Sequence, residues 1–513
     1  MKKPQNGSLS RYLADPVRCI MTLRPGGYAT LALGAVCVLL FFELVMRSFS
    51  EQAGSGIIAV CSALCLATLL FGVLRRGEKK PLMVVLAASA LMMLVLAAHL
   101  SLLNVRPGRM TRVLDPLLDE LWSYDLPVAM AWEKGAWSGG YLILMALIAH
   151  MEDFFALAML SALHAVKLID LAALTAAALA CGRLAEKRGA CYVGYCGAVT
   201  SALLLPTMLM NGGLWAQCDA IFAAFALWGM VELLEERPLA GCLLLGASLA
   251  FKLQAIFVFP LLPVFFMKRK LGIRHLAALA LAFMVFHLPM IIDGQDIMSI
   301  LGRYNEQILI TAYGDDMDEQ EEQTEEQTEE EPEAPPEQEA AAEDAQPEQQ
   351  AMELPTHEGL ADHAASVYSL MTVASVREFS GMGMYLGIAC ALLVATAMLR
   401  SRRTLTEDTV LTACMLLCCG LPLILPQANA RFLYLAGLVS LTRLDRPVRM
   451  LEAAVLELIS LCCYMEAIFS TETVKATVIP MNVLSLAAIA VACMAAWELY
   501  TALAAGEERD GQS

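Results

Sequence analysis

The sequence predicts an all-α protein, a polytopic bundle of about 11–13 membrane-spanning helices. Three observations carry that expectation. Mean hydropathy is +0.60 and only 17% of residues are charged. Apolar runs of about 20 residues recur along the chain, each long enough to cross a ~30 Å hydrocarbon core. Basic clusters fall between these runs at intervals that let all of them face one side.

Taken in order, spans are expected near 27–46, 56–74, 81–103, 154–182, 191–209, 218–234, 272–292, 381–400, 408–425, 449–469 and 478–501. A bent hairpin at 239–267 and a short return at 432–442 complete the parity. The run from Tyr28 lacks a small-residue cleavage site and is expected to stay as a first span. Segment 141–150 is too short to cross, so it is expected to lie at the outer surface or to dip in and return. The clusters "RRGEKK" (75–80), "RLAEKRG" (183–189), "KRK" (268–270), "RSRR" (400–403) and "RLDRPVR" (443–449) then face the cytoplasm. In domain terms, 1–80 holds N-terminal helices, 81–313 a core with a large first outer loop at 104–140, 314–360 a disordered acidic insert, and 361–513 C-terminal helices.

The net charge of −17 has a local source. Residues 315–350 contain 17 acidic residues and no Lys or Arg, which equals the whole imbalance. Like charge, low hydrophobicity and Pro make this a solvated insert in a long outer loop. Most of the 16 cysteines, Cys61, Cys390, Cys414 and Cys418 among them, lie in apolar runs without zinc spacing and are read as small buried hydrophobes. His99, His164 and His287, and the Lys167–Asp170 pair three residues apart, are read as packing polar groups of a bundle. No P-loop, dinucleotide fingerprint or nucleic-acid patch is present in the sequence, so no nucleic-acid partner is expected.

Polar residues at membrane level cost ~2.5–3.5 kcal/mol each when charged, and so mark sites that need explaining. "NGGLWAQCDAIFAAF" (211–225) places Asn211, Trp215, Gln217 and Asp219 together at the mouth of a span, where Asp219 also suits an ordinary helix start. "FKLQ" (251–254) puts Lys252 and Gln254 in the middle of an apolar hairpin, where the ammonium would pair with Asp219 or hold a phosphate. Arg431, in "LPQANARFLYLAG" (425–437), offers a planar fork suited to phosphate oxygens, or an interfacial anchor. The outer loop mixes Asp115, Asp119, Glu120 and Asp125 with Trp122, Trp132 and Trp137, and the loop alone does not select one carboxylate as a base.

Together, "NGGLWAQCDAIFAAF", "LLLGASLAFKLQAIFVFPLLP" and the later "LP…R…Y" segment resemble bacterial membrane proteins related to the glycosylphosphatidylinositol mannosyltransferase II (PIG-V) group, of the GT-C class. The resemblance covers about residues 81–440. It implies a GT-C bundle in the cell membrane with its active site on the extracytoplasmic side. The implied donor is a polyprenyl-phosphate-linked hexose such as mannose, and the acceptor a cell-envelope glycan, lipid or protein. Transfer would be inverting, with a carboxylate of the first outer loop as base: "SYDLPVAMAW" implies Asp125, seven residues before Trp132, with Asp119 as the alternative. Lys252, Arg431 and Gln254 would hold the donor phosphate, and Trp215, Gln217, Asp219, Asn211 and Tyr434 would line the cavity. No cofactor is demanded, although the carboxylates leave room for a divalent cation. Two departures stand out. Where relatives read "LPxMHERYF", this chain has Asn429 and Ala430 before Arg431, and the loop after Gly139 keeps only Tyr141 of an expected aromatic and proline run. The alternatives are a transporter or flippase of lipid-linked sugars, against which the chain shows no second copy of its motifs, and a degenerate, non-enzymatic scaffold.

Overall fold

A computed structural model describes residues 108–132, 137–157, 161–190, 192–268, 271–304, 364–371, 373–401, 405–426, 428–469 and 479–504, together with positions 99, 102 and 105. The spans expected at 27–46 and 56–74, most of 81–103 and the acidic insert lie outside these residues.

Every described element is helical. The first described segment holds α1 (Gly108–Trp122), α2 (Leu126–Met130), α3 (Gly139–His150) and α4 (Glu152–Leu157). A long helix α5 (Ala162–Lys187) follows, then α6 (Tyr192–Leu204), which breaks at Pro206 by 48° into a helical piece ending in a π-helical turn at Leu209–Leu214. The centre is α7 (Asp219–Leu234), α8 (Pro238–Phe251), a 3-10 helix (Leu253–Leu261), α9 (Leu262–Lys268), α10 (Ile273–Val285) and α11 (Leu288–Ile292). Beyond the insert come α12 (Val373–Arg400), α13 (Glu407–Ile424), a 3-10 turn (Ala430–Leu433), α14 (Tyr434–Leu441), α15 (Pro447–Phe469) and α16 (Met481–Ala504).

Among the described residues four helices are long and apolar enough to cross a membrane, and five if the bent pair counts as one span. The expected span at 272–292 is realised as two shorter pieces, Ile273–Val285 and Leu288–Ile292, the hairpin at 239–267 as Pro238–Phe251 and Leu253–Lys268, and the short segment at 141–150 as the helix Gly139–His150. The expected span at 154–182 divides: α4 stops at Leu157, and α5 begins behind Ser161. A capping box explains the new start, because Ser161 Oγ accepts from the His164 N–H at 3.4 Å while His164 Nδ1 accepts from the Ser161 N–H at 2.9 Å. His164 is therefore a cap and not a side chain packed in the bundle.

The core packs antiparallel neighbours closely. A methyl group on Gly229 of α7 would meet the Leu245 side chain at 2.9 Å, and one on Gly241 of α8 would meet the Gly229 carbonyl at 3.0 Å. Small residues let the two backbones approach where an apolar solvent gives little drive of its own. Ser248 Oγ then donates to the Phe222 carbonyl at 2.7 Å and fixes the register of the pair.

Helix alternation collects the basic turns at one end. There Arg449 donates to Asp408 at 2.9 Å, to Asp445 at 2.8 Å and to Glu498 at 3.0 Å. Arg188 reaches Asp445 at 2.9 Å and also pairs with Asp408. Arg443, 1% exposed, pairs with Glu498 and lies 3.6 Å from Glu452. The network ties the end of α5 to the starts of α13 and α15 and to the last turns of α16. At its edge Arg183 binds Glu235 at 2.7 Å, and Lys268 donates to the Met398 carbonyl at 2.6 Å. Burial alone would raise the Asp445 carboxyl, yet the Arg449 hydrogen bond and the Arg188 charge outweigh it and hold the group down at about 2.

Two outcomes follow from this network. Arg443→Ala strands the buried Glu452, so stability should fall by about 3–5 kcal/mol, measured by unfolding in mixed detergent, with Glu452→Gln restoring part of the loss. Because the Asp445 pKa is depressed in the folded state, its contribution is complete above its unfolded value of about 3.9 and is lost as pH falls towards 2. Protection of the amides at the 442–449 turn, taken relative to their intrinsic exchange rate, should therefore fall between pH 4 and pH 2, and Asp445→Asn should weaken that dependence, leaving the part that Asp408 supplies.

Candidate functional site

The opposite end of the bundle gathers polar side chains from six separated segments. It begins with the π-helical turn at Leu209–Leu214, whose residues are all buried. A π turn widens the helix and frees backbone groups, and the chain uses them to reverse: the Trp215 N–H donates to Met210 O at 2.8 Å and the Gln217 N–H to Asn211 O at 3.0 Å. Between them Ala216 has φ 58°, a left-handed conformation that costs a non-glycine residue about 1–2 kcal/mol. The reversal delivers Asp219 to the first turn of α7.

Asp219, 1% exposed, is held from two sides. One carboxylate oxygen forms an ion pair with Lys252, the residue between α8 and the following 3-10 helix. The other accepts from Asn211 Nδ2 at 2.8 Å, and the same amide donates to the Tyr464 hydroxyl at 2.8 Å. The Lys252 ammonium lies 5.8 Å from the Phe222 ring, and 20% of the lysine side chain is accessible.

Arg431 adds a second cation. Asn429 Oδ1 accepts from the Arg431 N–H at 3.1 Å and caps the 3-10 turn that presents the guanidinium. Nη1 donates to Gln217 Oε1 at 3.0 Å, and the guanidinium stands 5.7 Å from the centre of the Trp215 ring. Trp215 in turn meets Tyr464 edge-on at 5.8 Å. Asn429 thus has a positional role beside Arg431.

Three residues join the site that the sequence did not assign to it. Asp170, from the middle of α5, accepts from the Ala220 N–H at 3.3 Å and caps α7 from a neighbouring helix. Its other oxygen presses against Gly212, where any Cβ would overlap it. The expected partnership with Lys167 is corrected: the Lys167 ammonium donates to the Leu102 and Val105 carbonyls, each at 2.7 Å, and Asp170 turns to the site. Tyr464 and Tyr141 complete the set. Tyr141 stacks on Trp137 at 5.3 Å and lies close enough to Asp219 and Arg431 to feel their charges, while Ser138 ties the start of α3 to the Phe251 carbonyl at 2.5 Å. An Asp inside an apolar run was a visible signal; a tyrosine in α15 carried none. His287, read as packing, keeps that role, with Nδ1 on the Phe283 carbonyl at 2.8 Å and Nε2 at 3.2 Å from the Tyr304 hydroxyl.

Not every expected residue joins. Asp125 is exposed at the start of α2 and makes no side-chain cap, and Asp119 is exposed on α1. The Tyr124 carbonyl accepts from His150 Nε2 at 2.9 Å, which places Asp125 beside the last turn of α3. Tyr141 lies nine residues nearer the other end of that helix, roughly 14 Å away at 1.5 Å per residue. Gln254 Oε1, the Tyr434 hydroxyl and Asn211 Oδ1 are buried without a hydrogen-bond partner among the described residues. Tyr434 still borders the site, its ring 6.4 Å from that of Phe222. Among the described residues no group of three or more His, Cys, Asp or Glu side chains is placed to hold a metal ion.

The arrangement therefore brings two cations, an aromatic wall and two buried carboxylates together at one end. Gly212→Ala should dislodge Asp170 from the α7 terminus and lower thermal stability by several degrees. Asp170→Asn, which keeps the volume, should be milder. Equal effects of the two variants in a detergent melt would argue against the cap.

Compared with protein-family models and with curated protein sequences, the chain matches none.

Proposed function

We propose that the chain is an integral membrane glycosyltransferase that moves a hexose, mannose or a similar sugar, from a polyprenyl-phosphate donor to a cell-envelope acceptor on the extracytoplasmic side. The observation that carries this reading is the convergence of Lys252 and Arg431 on Trp215, Gln217 and Asp219 at the end of the bundle opposite the basic turns. Basic turns mark the cytoplasmic face, so this end would face outward. The motif resemblance supplies the substrate class.

Chemically, the acceptor oxygen forms a bond to C1 of the sugar as the bond from C1 to the phosphate oxygen breaks. The electron pair leaves with the polyprenyl phosphate, and the acceptor proton passes to a carboxylate. Lys252 and Arg431 would hold the phosphate and stabilise its growing charge, a preorganised role that costs no reorganisation during the reaction. The Asp219 ion pair orients the Lys252 ammonium before the donor arrives. Asp125 would serve as base once α2 moves towards the mouth, a displacement of the order of the ~14 Å between the two ends of α3. Asp219 is the carboxylate already beside the cations.

The test is sugar transfer from synthetic polyprenyl-phosphate hexoses by the protein in lipid discs. Lys252→Ala and Arg431→Ala should each lower kcat by roughly 10²–10³-fold. A loss in Asp125→Asn with retention in Asp219→Asn would place the base on α2, and the reverse would place it on α7. Unchanged transfer in both cation variants overturns the phosphate assignment. Passage of intact lipid-linked sugar across the bilayer without transfer would replace the transferase by a flippase.

A further inference from the structure

Between its two charged ends the bundle carries a carboxylate that neither end uses. Glu457 stands in the middle of α15, eight residues after Arg449 and seven before Tyr464, so roughly 12 Å of helix separate it from the basic network and roughly 10 Å from the polar site. Its contacts lie on the broken span. Glu457 Oε1 accepts from the Thr207 N–H at 3.1 Å, and the Thr207 hydroxyl lies 2.9 Å and 3.0 Å from the two carboxylate oxygens. Pro206 has no N–H and Thr207 gives its own to Glu457, so the Ala202 and Leu203 carbonyls at the end of α6 lose their helical donors. One turn after Thr207, Asn211 donates to the Tyr464 hydroxyl, so α15 holds the bent piece at two levels. Polar oxygens gather between these levels. Ser460 shares a face of α15 with Glu457 and Tyr464, three residues from one and four from the other. It is 2% exposed, and its Oγ has no hydrogen-bond partner among the described residues. The same holds for Asn211 Oδ1 and the Tyr434 hydroxyl, both fully buried. Tyr434 lies near Tyr464, which is close enough to Glu457 to feel its charge. The third side is α14, where a methyl group on Gly437 would stand 3.8 Å from Glu457 Oε2.

We infer that this three-helix junction binds one alkali cation, with Glu457 as the charged ligand and the Thr207 hydroxyl, Ser460 Oγ and Asn211 Oδ1 as neutral oxygen ligands. Charge comes first. A carboxylate at this depth is costly unless a positive charge meets it, and the nearby cations are committed elsewhere: Arg449 to Asp408, Asp445 and Glu498, Lys252 to Asp219, and Arg431 to Gln217. One carboxylate among neutral groups matches a monovalent ion, whereas a divalent ion would keep a buried positive charge uncompensated. Ligand chemistry comes second, because carboxylate, hydroxyl and amide oxygens are hard donors that suit a hard cation. A proton would neutralise Glu457 and still leave Ser460 and Asn211 without partners, which an ion taking several oxygens satisfies. The backbone comes third. A broken membrane helix whose terminal carbonyls have lost their donors is a setting in which membrane proteins coordinate such ions. Asn211 then links the junction to the polar site, since its oxygen faces the ion while its amide nitrogen holds Asp219 and Tyr464. An ion on the oxygen polarises those N–H bonds and tightens the turn that carries Trp215, Gln217 and Asp219.

The experiment melts the full-length protein in lipid discs at one pH, in sodium chloride and in choline chloride of equal ionic strength. Wild type should melt several degrees higher in sodium, with a saturating dependence on its concentration. Glu457→Gln keeps an oxygen for the Thr207 N–H and removes the buried charge. It should therefore melt no lower than wild type in choline and gain nothing from sodium. Ser460→Ala should melt as wild type does in choline and need severalfold more sodium for half its effect, so the inference does not hang on one variant that fails to fold. Hydrogen exchange at residues 209–218 should slow severalfold in sodium in wild type and stay unchanged in Glu457→Gln. Binding of radioactive sodium, measured directly, should saturate at one ion per chain. Equal melting in the two salts, or a sodium response that survives in Glu457→Gln, overturns the inference. So does melting that depends on pH and not on sodium, which would make a proton the sole partner of Glu457. Sugar transfer enters none of these measurements, so the two readings fail separately. Sodium binding without transfer upholds the cation site and removes the transferase, whereas transfer without a sodium response removes the cation site alone.

Discussion

The pairing of Lys252 with Asp219 is the constraint around which the polar end of the bundle is built. A lone ammonium or carboxylate at this depth would be costly, and each group is tolerable because the other is present. The pair also fixes chain geometry. Asp219 opens α7 and Lys252 closes α8, so their contact sets where the α7–α8 hairpin ends relative to the turn that precedes it. Gly229 against Gly241, and Ser248 on the Phe222 carbonyl, keep that register along the helices.

Around the pair the remaining contacts are consequences of satisfying buried polar groups. Asn211 has its amide directed at the second Asp219 oxygen only because the preceding turn is π-helical and reverses through a left-handed alanine. Asp170 meets the exposed N–H groups that open α7, and Gly212 is required where its carboxylate passes. Strain and close approach at one place are typical of functional sites, where the surrounding fold compensates for them.

The two ends of the bundle treat charge in opposite ways. At the basic end, three arginines and four carboxylates neutralise one another and lock α5, α13, α15 and α16 together. At the polar end, Lys252 and Arg431 are half-buried and each holds one polar side chain of the turn that opens α7, Asp219 and Gln217.

Much of the architecture was legible in the chain. Apolar runs gave helices, and Lys252, Gln217, Asp219 and Arg431 were conspicuous because charge and amide groups are rare in such runs. Helix ends were less legible: α5 starts at a Ser161–His164 capping box hidden in an apolar stretch, and α6 bends at Pro206. The placement of Asp125 was not legible at all, since loop composition says nothing of which end of α3 the loop returns to. Hydropathy by itself determined the solvent, the helical class and the polar residues that require partners, because these depend on local composition and periodicity. Only the tertiary structure decided which partners they take. It turned Asp170 from Lys167 to the α7 terminus and brought Tyr464 to Asn211, because long-range pairing follows from how helices pack and not from spacing along the chain.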